Sequence, residues 1–159
     1  MIAHELGPFG IVKRNAISIR GTPAFDPVYF DRLQAFGVVF PIPLSVARAW
    51  THASGRAPVP LPRGRAQEPQ AAAVIQCFDY QATEIGPYRE IGVCALATPG
   101  NSPKPSLASW LTQVIFTREA HACVQWLPVN TEIAVAGGVD FFGYPKTLNR
   151  VEMTWDSRR

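Results

Sequence analysis

Lysine is scarce in this chain of 159 residues, which has three lysines against twelve arginines. The net charge is +3, and the arginines are scattered rather than grouped in one basic stretch. A nucleic-acid interface needs a clustered basic surface, so nucleic acid is not an expected partner. A hydrophobic content of 47% with 17% charged residues is typical of a globular protein. We therefore predict one domain over residues 1–159.

Long apolar runs are absent as well. A membrane-spanning helix needs about 20 consecutive apolar residues, and no stretch of this chain approaches that length. The N-terminal residues lack the charged and then apolar order of a secretory signal. The sequence therefore predicts a soluble, cytoplasmic protein that does not bind membranes.

Cysteine and histidine are too few, and too far apart, for a disulfide framework or a metal site. The three cysteines are odd in number and have apolar neighbours, which favours reduced core thiols. The three histidines are not spaced as ligands of one ion. We predict no metal site. The residues concerned are Cys77, Cys94, Cys123, His4, His52 and His121.

Proline and glycine are plentiful in residues 1–70, in contrast to the rest of the chain. Two ordered pieces are predicted there, a strand over 35–40 and a helix over 44–52. Proline recurs so often in residues 57–70 that we predict a surface loop.

Residues 71–159 are richer in valine, isoleucine and aromatic side chains, which favour strands. Strands are predicted over 73–80, 88–97 and 107–117. Their connections are short or rich in turn-forming residues, so antiparallel pairing is expected.

The last part of the chain alternates between helix and strand signals. Residues 118–125 fit either a short helix or a strand. A helix is predicted to begin near Asn130 and to end at Gly137 and Gly138, which places Lys146 on a loop beyond it. A final strand is predicted over 150–155.

Lys146 stands out because its neighbours Phe141, Phe142 and Tyr144 are aromatic, whereas Lys13 and Lys104 lie in polar surroundings. An ammonium group is not nucleophilic, and removing water from a lysine favours its neutral amine. A neutral amine can attack a ketone, and the resulting iminium withdraws electrons from the adjacent bond. The sequence therefore makes Lys146 a candidate nucleophile, although a lysine after proline is also typical of a solvated turn.

Glu90 is the candidate partner for that amine. Side chains alternate along a strand, so Tyr88 and Glu90 share one face of the predicted strand 88–97. A carboxylate within an apolar strand needs a partner. We predict that Tyr88 and Glu90 face Lys146, while an exposed surface ion pair is the alternative for Glu90.

Two segments together resemble the acetoacetate decarboxylase family. The first runs from Phe78-Asp79-Tyr80 to Gly86-Pro87-Tyr88-Arg89-Glu90, and the second from Trp126 to Gly143-Tyr144-Pro145-Lys146. The resemblance covers roughly residues 73–151 and implies a Schiff base on Lys146, with Glu90 as an active-site carboxylate. It also implies an oligomeric, mainly β protein, a cone-like antiparallel barrel with a few short helices, and no organic cofactor.

Several positions depart from the family pattern. Thr147 replaces a second lysine, so desolvation alone would have to activate the amine, and residues 138–140 replace a Gly-Arg-Glu element. Gln76 falls at a second acidic position, and Arg32 is the nearest counterpart of a cavity arginine. The cavity wall, by resemblance, includes Tyr88, Phe142 and Tyr144.

The chain ends thirteen residues after Lys146, whereas the family continues with the strands that close the barrel. Either another chain supplies those strands or the barrel is incomplete. The expected function is a Schiff-base lyase acting on a small β-keto or α-keto acid. The alternatives are an aldolase or dehydratase acting on a short keto acid, and a non-catalytic protein that binds a ligand or supports an oligomer.

Overall fold

A computed structural model describes residues 6–7, 10–11, 15–26, 28, 30–62, 68–99, 106–112 and 121–156. The described chain is mainly β with three short helices. None of these helices is long and apolar enough to cross a membrane. The strands are β1 (Leu6–Gly7), β2 (Gly10–Ile11), β3 (Asn15–Ile19), β4 (Thr22–Asp26), β5 (Phe30–Pro43), β6 (Arg56–Pro58), β7 (Gln70–Thr83), β8 (Tyr88–Pro99), β9 (His121–Val129) and β10 (Lys146–Leu148). The helices are α1 (Leu44–His52), α2 (Leu107–Thr112) and α3 (Glu132–Phe142).

Six of the strands form the main sheet, in the order β10-β9-β8-β7-β5, with β6 paired to the far end of β8. The pairings are antiparallel except for β10, which runs parallel to β9. Helix α3 connects these two parallel strands, as a parallel pair requires a crossover. The sheet is open over the described residues, so the closed barrel stays a prediction.

Helices cover both faces of this sheet. The face that carries Tyr88 and Glu90, here called the site face, packs against α3 at one end and α2 at the other. Helix α1 covers the β6 end of the opposite face through Ala47 against Ala71 and Ala73. A separate hairpin, β3–β4, packs on α3 where Ile19 meets Ala136.

The predicted strands 73–80 and 88–97 are confirmed, and the hairpin that they form, β7 with β8, is longer than expected. Helix α1 has the predicted bounds. Residues 121–125 adopt the strand rather than the helix alternative. The predicted strand 35–40 is the central part of the fourteen-residue β5.

Four predictions were wrong. Residues 107–112 form α2 instead of a strand, because Leu107 and Trp110 lie one helical turn apart and pack on the same core cluster. The predicted loop 57–70 begins and ends in strands, since residues 57 and 58 belong to β6 and residue 70 begins β7. Residues 63–67 and 113–120 lie outside the described residues. Residues 150–155 form no strand.

The fourth concerns α3, which continues through Gly137 and Gly138 and ends at Phe142, with Gly143 as its C-terminal cap. Gly143 has the left-handed φ of 63° that a helix C-terminus commonly adopts, whereas the paired glycines have no such angle. Lys146 therefore begins the short strand β10 rather than lying on a loop.

Candidate active site

The register of the main sheet determines which side chains share the site face. Tyr88 lies opposite Tyr80, Glu90 opposite Phe78, and Gly92 opposite Gln76. Because residues directly opposite each other on paired strands point to the same face, these side chains form one surface. Gln76, which falls at a second acidic position of the resembled family, therefore lies on the same face as Glu90.

Lys146 reaches the same surface from β10. It lies opposite Leu127 of β9, while Glu90 of β8 lies opposite Val129 of the same strand. Strand β9 thus separates the two residues, and their long side chains meet above it. Lys146 Nζ lies 2.6 Å from Glu90 Oε2, and each side chain is only 9% exposed.

The contact between these two groups is a close ion pair rather than an aligned hydrogen bond. Glu90 Oε2 is buried, and among the described residues no donor makes a well-directed hydrogen bond to it. A buried carboxylate oxygen without such a donor is energetically costly. It can accept a hydrogen bond from a ligand that enters the site.

Helix α3 holds the stem of Lys146 in place. A methyl group added to Gly138 would overlap Lys146 Cδ and Cε and would lie 2.9 Å from Cγ. The lysine side chain therefore crosses the helix where a side chain is missing. Gly137, by contrast, faces Ile19, and a methyl group there would make an ordinary contact at 3.6 Å.

Two tyrosines complete the surroundings of the amine. The Tyr88 ring centre lies 5.4 Å from Lys146 Nζ, within the range of a cation–π contact. Tyr80 stacks on Tyr88 with ring centres 4.4 Å apart. Phe78 stacks on the other side of Tyr80.

Burial raises the pKa of both phenols well above their usual range. For Tyr88 the Tyr80 hydroxyl and the Glu90 carboxylate add to the effect of burial, and for Tyr80 the next cause is Glu90. Both groups thus stay protonated at neutral pH and can donate hydrogen bonds.

The aromatic residues next to Lys146 do not shield it in the expected way. Phe141, Phe142 and Tyr144 are 47%, 65% and 44% exposed, because they lie at the C-terminal end of α3 and beyond it. Phe142 and Tyr144 stack on each other with ring centres 5.7 Å apart. The low exposure of Lys146 comes instead from the neighbours that its side chain contacts, including Tyr88 and α3.

Arg32 lies farther out, on the exposed strand β5 opposite Ala82, at an irregularity in the pairing with β7. Thr147 lies opposite Pro128 and is exposed. Its hydroxyl accepts a hydrogen bond from Asn149 at 2.8 Å. The position that carries a second lysine in the resembled family is therefore on the outside of this strand.

A second polar group lies on the opposite face of the sheet. Asp79 Oδ1 accepts a hydrogen bond of 3.2 Å from Arg89 Nε, and Asp79 Oδ2 accepts one of 3.0 Å from Trp155 Nε1. A pocket of about 240 Å³ is lined by Asp79, Pro87, Tyr88, Arg89 and Asn130. This pocket is not lined by Lys146 or Glu90, so we assign no part of the Lys146 chemistry to it.

Sequence reasoning missed two residues of the site. Gly138 was interpreted as a helix terminator, although it makes room for the lysine stem. Tyr80 was named only as part of a motif, although the short predicted hairpin between it and Tyr88 was a signal that the two residues lie opposite each other.

Comparisons with known protein families, with curated proteins and with solved structures found no match to this chain. The likeness to acetoacetate decarboxylases thus rests on the motif residues of the sequence alone.

Proposed function

We propose that this chain is a Schiff-base-forming lyase acting on a small keto acid, in the manner of an acetoacetate decarboxylase. The observation that carries the proposal is the buried amine of Lys146 at 2.6 Å from Glu90 Oε2. Burial disfavours the ammonium form of a lysine, and a neighbouring carboxylate favours it. At this distance Glu90 could accept a proton from Lys146 once the two groups align, and a nucleophilic amine requires such an acceptor.

The reaction would begin when Lys146 passes a proton to Glu90 and its neutral amine attacks the keto carbon. Glu90 returns the proton to the oxygen of the adduct, water leaves, and an iminium forms. In a β-keto acid the bond to the carboxylate then breaks, carbon dioxide departs, and the electron pair forms an enamine. Protonation of the enamine carbon and hydrolysis release the ketone and restore Lys146.

The tyrosines suit the binding of an oxygen-rich substrate. Tyr80 and Tyr88 are neutral donors on the site face, and Gln76 adds an amide near Gly92, whose added Cβ would lie 3.8 Å from Gln76 Oε1. These groups could orient a carbonyl or carboxylate oxygen beside the amine. The proposal needs no closed barrel, because the pair is already buried in the open sheet.

Borohydride trapping tests the proposal. The protein is incubated with acetoacetate or pyruvate, reduced, digested and mapped by mass spectrometry. We expect a reduced adduct on Lys146, none in Lys146→Ala, and at least a tenfold smaller yield in Glu90→Gln. Glu132→Gln, an exposed glutamate at the start of α3, is the matched control and should label normally. Unlabelled Lys146 in well-folded protein would contradict the mechanism.

An aldolase or dehydratase would use the same iminium, so trapping alone does not separate these reactions from decarboxylation. Release of carbon dioxide from acetoacetate identifies the decarboxylase, and release of an aldehyde from an aldol substrate identifies the aldolase.

A binding role without catalysis is the second candidate. The ion pair itself favours it, because paired buried charges also occur in sites that perform no chemistry. Keto acid binding in a calorimeter without an adduct on Lys146 would support this candidate.

A further inference from the structure

Strand β5 forms one end of the main sheet and is unusually long and apolar for an edge. It pairs with β7 along one side, and no described strand pairs with its other side. Large apolar side chains are exposed on both of its faces. These are Phe30, Leu33, Phe36, Val38 and Val39, with exposures of 46%, 44%, 50%, 54% and 49%.

The usual protection of an edge strand is missing from most of β5. Natural edges carry lysine, proline or other charged residues that prevent pairing with further strands. From residue 33 to residue 43 this strand has no charged residue, and its prolines occur only at 41 and 43. The charged residues Asp31 and Arg32 are confined to its other end.

An uncharged apolar edge can pair with another edge of the same kind, and the β5 strand of a second copy of this chain is such an edge. We propose that two copies of this chain associate through β5, antiparallel and related by a two-fold axis, so that their sheets become continuous. A two-fold contact uses the same surface on both subunits, which suits a self-complementary strand.

The register follows from the symmetry. Residues that lie opposite each other in the two strands must point to the same face of the sheet. With a two-fold axis perpendicular to the sheet, one residue must therefore lie opposite its own copy, and the axis passes between the two copies. An axis at Gly37 pairs Phe36 with Val38 of the partner subunit, and Val38 with the partner's Phe36. The two most exposed of the large apolar side chains of this strand are then covered by each other. The charged ends fall at the periphery, where water can solvate them.

The size of the contact predicts a reversible dimer. Fourteen residues at roughly 3.3 Å each give a strand of about 46 Å. With a thickness of roughly 10 Å, the two edges together bury about 900 Å², below the usual range of stable complexes. Backbone hydrogen bonds along the edge add to the apolar contact. Dissociation on dilution is therefore expected.

Sedimentation over a wide range of concentration tests the proposal. We expect a monomer–dimer equilibrium for the natural chain and an at least tenfold weaker dimer for Val38→Lys, which places charge inside the contact. Val46→Lys, an exposed valine of α1, is the matched control and should dimerise normally. A monomer at every concentration, or equal effects of the two variants, would overturn the proposal.

Cross-linking provides a second measurement that does not depend on the folding of Val38→Lys. In a Cys123→Ser background, Gly37→Cys places two thiols at the axis, where opposite Cα atoms are close enough for a disulfide. The new side chain has room, since a Cβ there lies at least 3.6 Å from its neighbours. Oxidation should give a covalent dimer that Ala49→Cys, on exposed α1, does not give. Equal cross-linking of both would refute the register.

Discussion

The burial of Lys146 against Glu90 has an energetic cost that single substitutions should reveal. Two charges removed from water recover their lost solvation only through each other, and loss of one leaves the other unpaired. We therefore expect that replacing one of the two residues destabilises the fold strongly, and that replacing both together destabilises it less.

A double-mutant cycle measures this directly. Glu90→Leu and Lys146→Met should each lower the free energy of unfolding by about 3–5 kcal/mol, while the combined variant should lose less than either. Urea unfolding of the four proteins gives the values. Additive losses in the double variant would show that the two side chains do not interact in the folded protein.

The tyrosines give a prediction about pH. Burial raises the pKa of Tyr80 and Tyr88 above that of an exposed phenol, so the folded state holds their protons more tightly than the unfolded state. Their contribution to stability is complete below the pKa of an unfolded tyrosine, about 10, and is lost as the pH rises above it.

In an alkaline titration, Tyr80 and Tyr88 should therefore not ionise before the protein unfolds, so that only the other two of the four tyrosines contribute phenolate absorbance in the folded state. Tyr88→Phe should reduce the alkaline loss of stability, and Tyr144→Phe, at an exposed position, serves as the control. Normal ionisation of all four tyrosines in folded protein would contradict the expectation.

For individual residues, the sequence predicted the direction of side chains that lie in strands, where alternate residues share a face. The pairing of Tyr88 with Glu90 follows from a two-residue period, and the structure brings both to Lys146. The prediction that Phe141 and Phe142 shield the amine was wrong. Residues that are close in the sequence can point in different directions at the end of a helix.

Among the elements, α3 has two adjacent glycines with different neighbours. Gly138 lies under the stem of Lys146, while Gly137 lies against Ile19 with normal spacing. The two positions therefore form an internal comparison within one helix.

Gly138→Ala should displace the lysine stem and reduce borohydride labelling of Lys146 at least tenfold. Gly137→Ala should keep labelling and raise stability by up to about 1 kcal/mol, because alanine favours helix over glycine. Labelling yield and thermal unfolding of both variants test this. Equal labelling of the two variants would mean that the position of the Lys146 side chain does not depend on the space beside Gly138.

Element boundaries were the least predictable part of the fold. The glycine pair in α3 was interpreted as a stop because a sequence does not show that another side chain fills the gap. Residues 107–112 contain strand-forming types, yet packing of Leu107 and Trp110 on one core cluster favours a helix. The parallel strand β10 also escaped prediction, because three residues carry too little pattern.

For the whole molecule, the main core lies away from the site. Leu96 is 1% exposed and belongs to the cluster of Val59, Val74 and Cys94, which joins β7, β8 and the residue after β6 beneath α2. This cluster is at the end of the sheet opposite to Glu90, so stability and chemistry can be perturbed separately.

Leu96→Ala should lower the free energy of unfolding by about 2–5 kcal/mol, through lost contacts and a cavity. Leu111→Ala, at a position 46% exposed, should have little effect. Urea unfolding measures both, and labelling of Lys146 in the still-folded Leu96→Ala protein should be unchanged. A parallel loss of labelling would show that core and site are coupled.

The position of β9 between the two charged residues has a mechanical consequence. Strands β8 and β10 are two strand spacings apart, about 9.6 Å, and the contact of Lys146 with Glu90 ties them together across the strand between. Strand β10 has only three residues to hold it to β9, so this tie is a substantial part of its attachment. A ligand bonded covalently to Nζ would release the tie, and the outermost strand of the sheet would then be freer to move while the ligand is held.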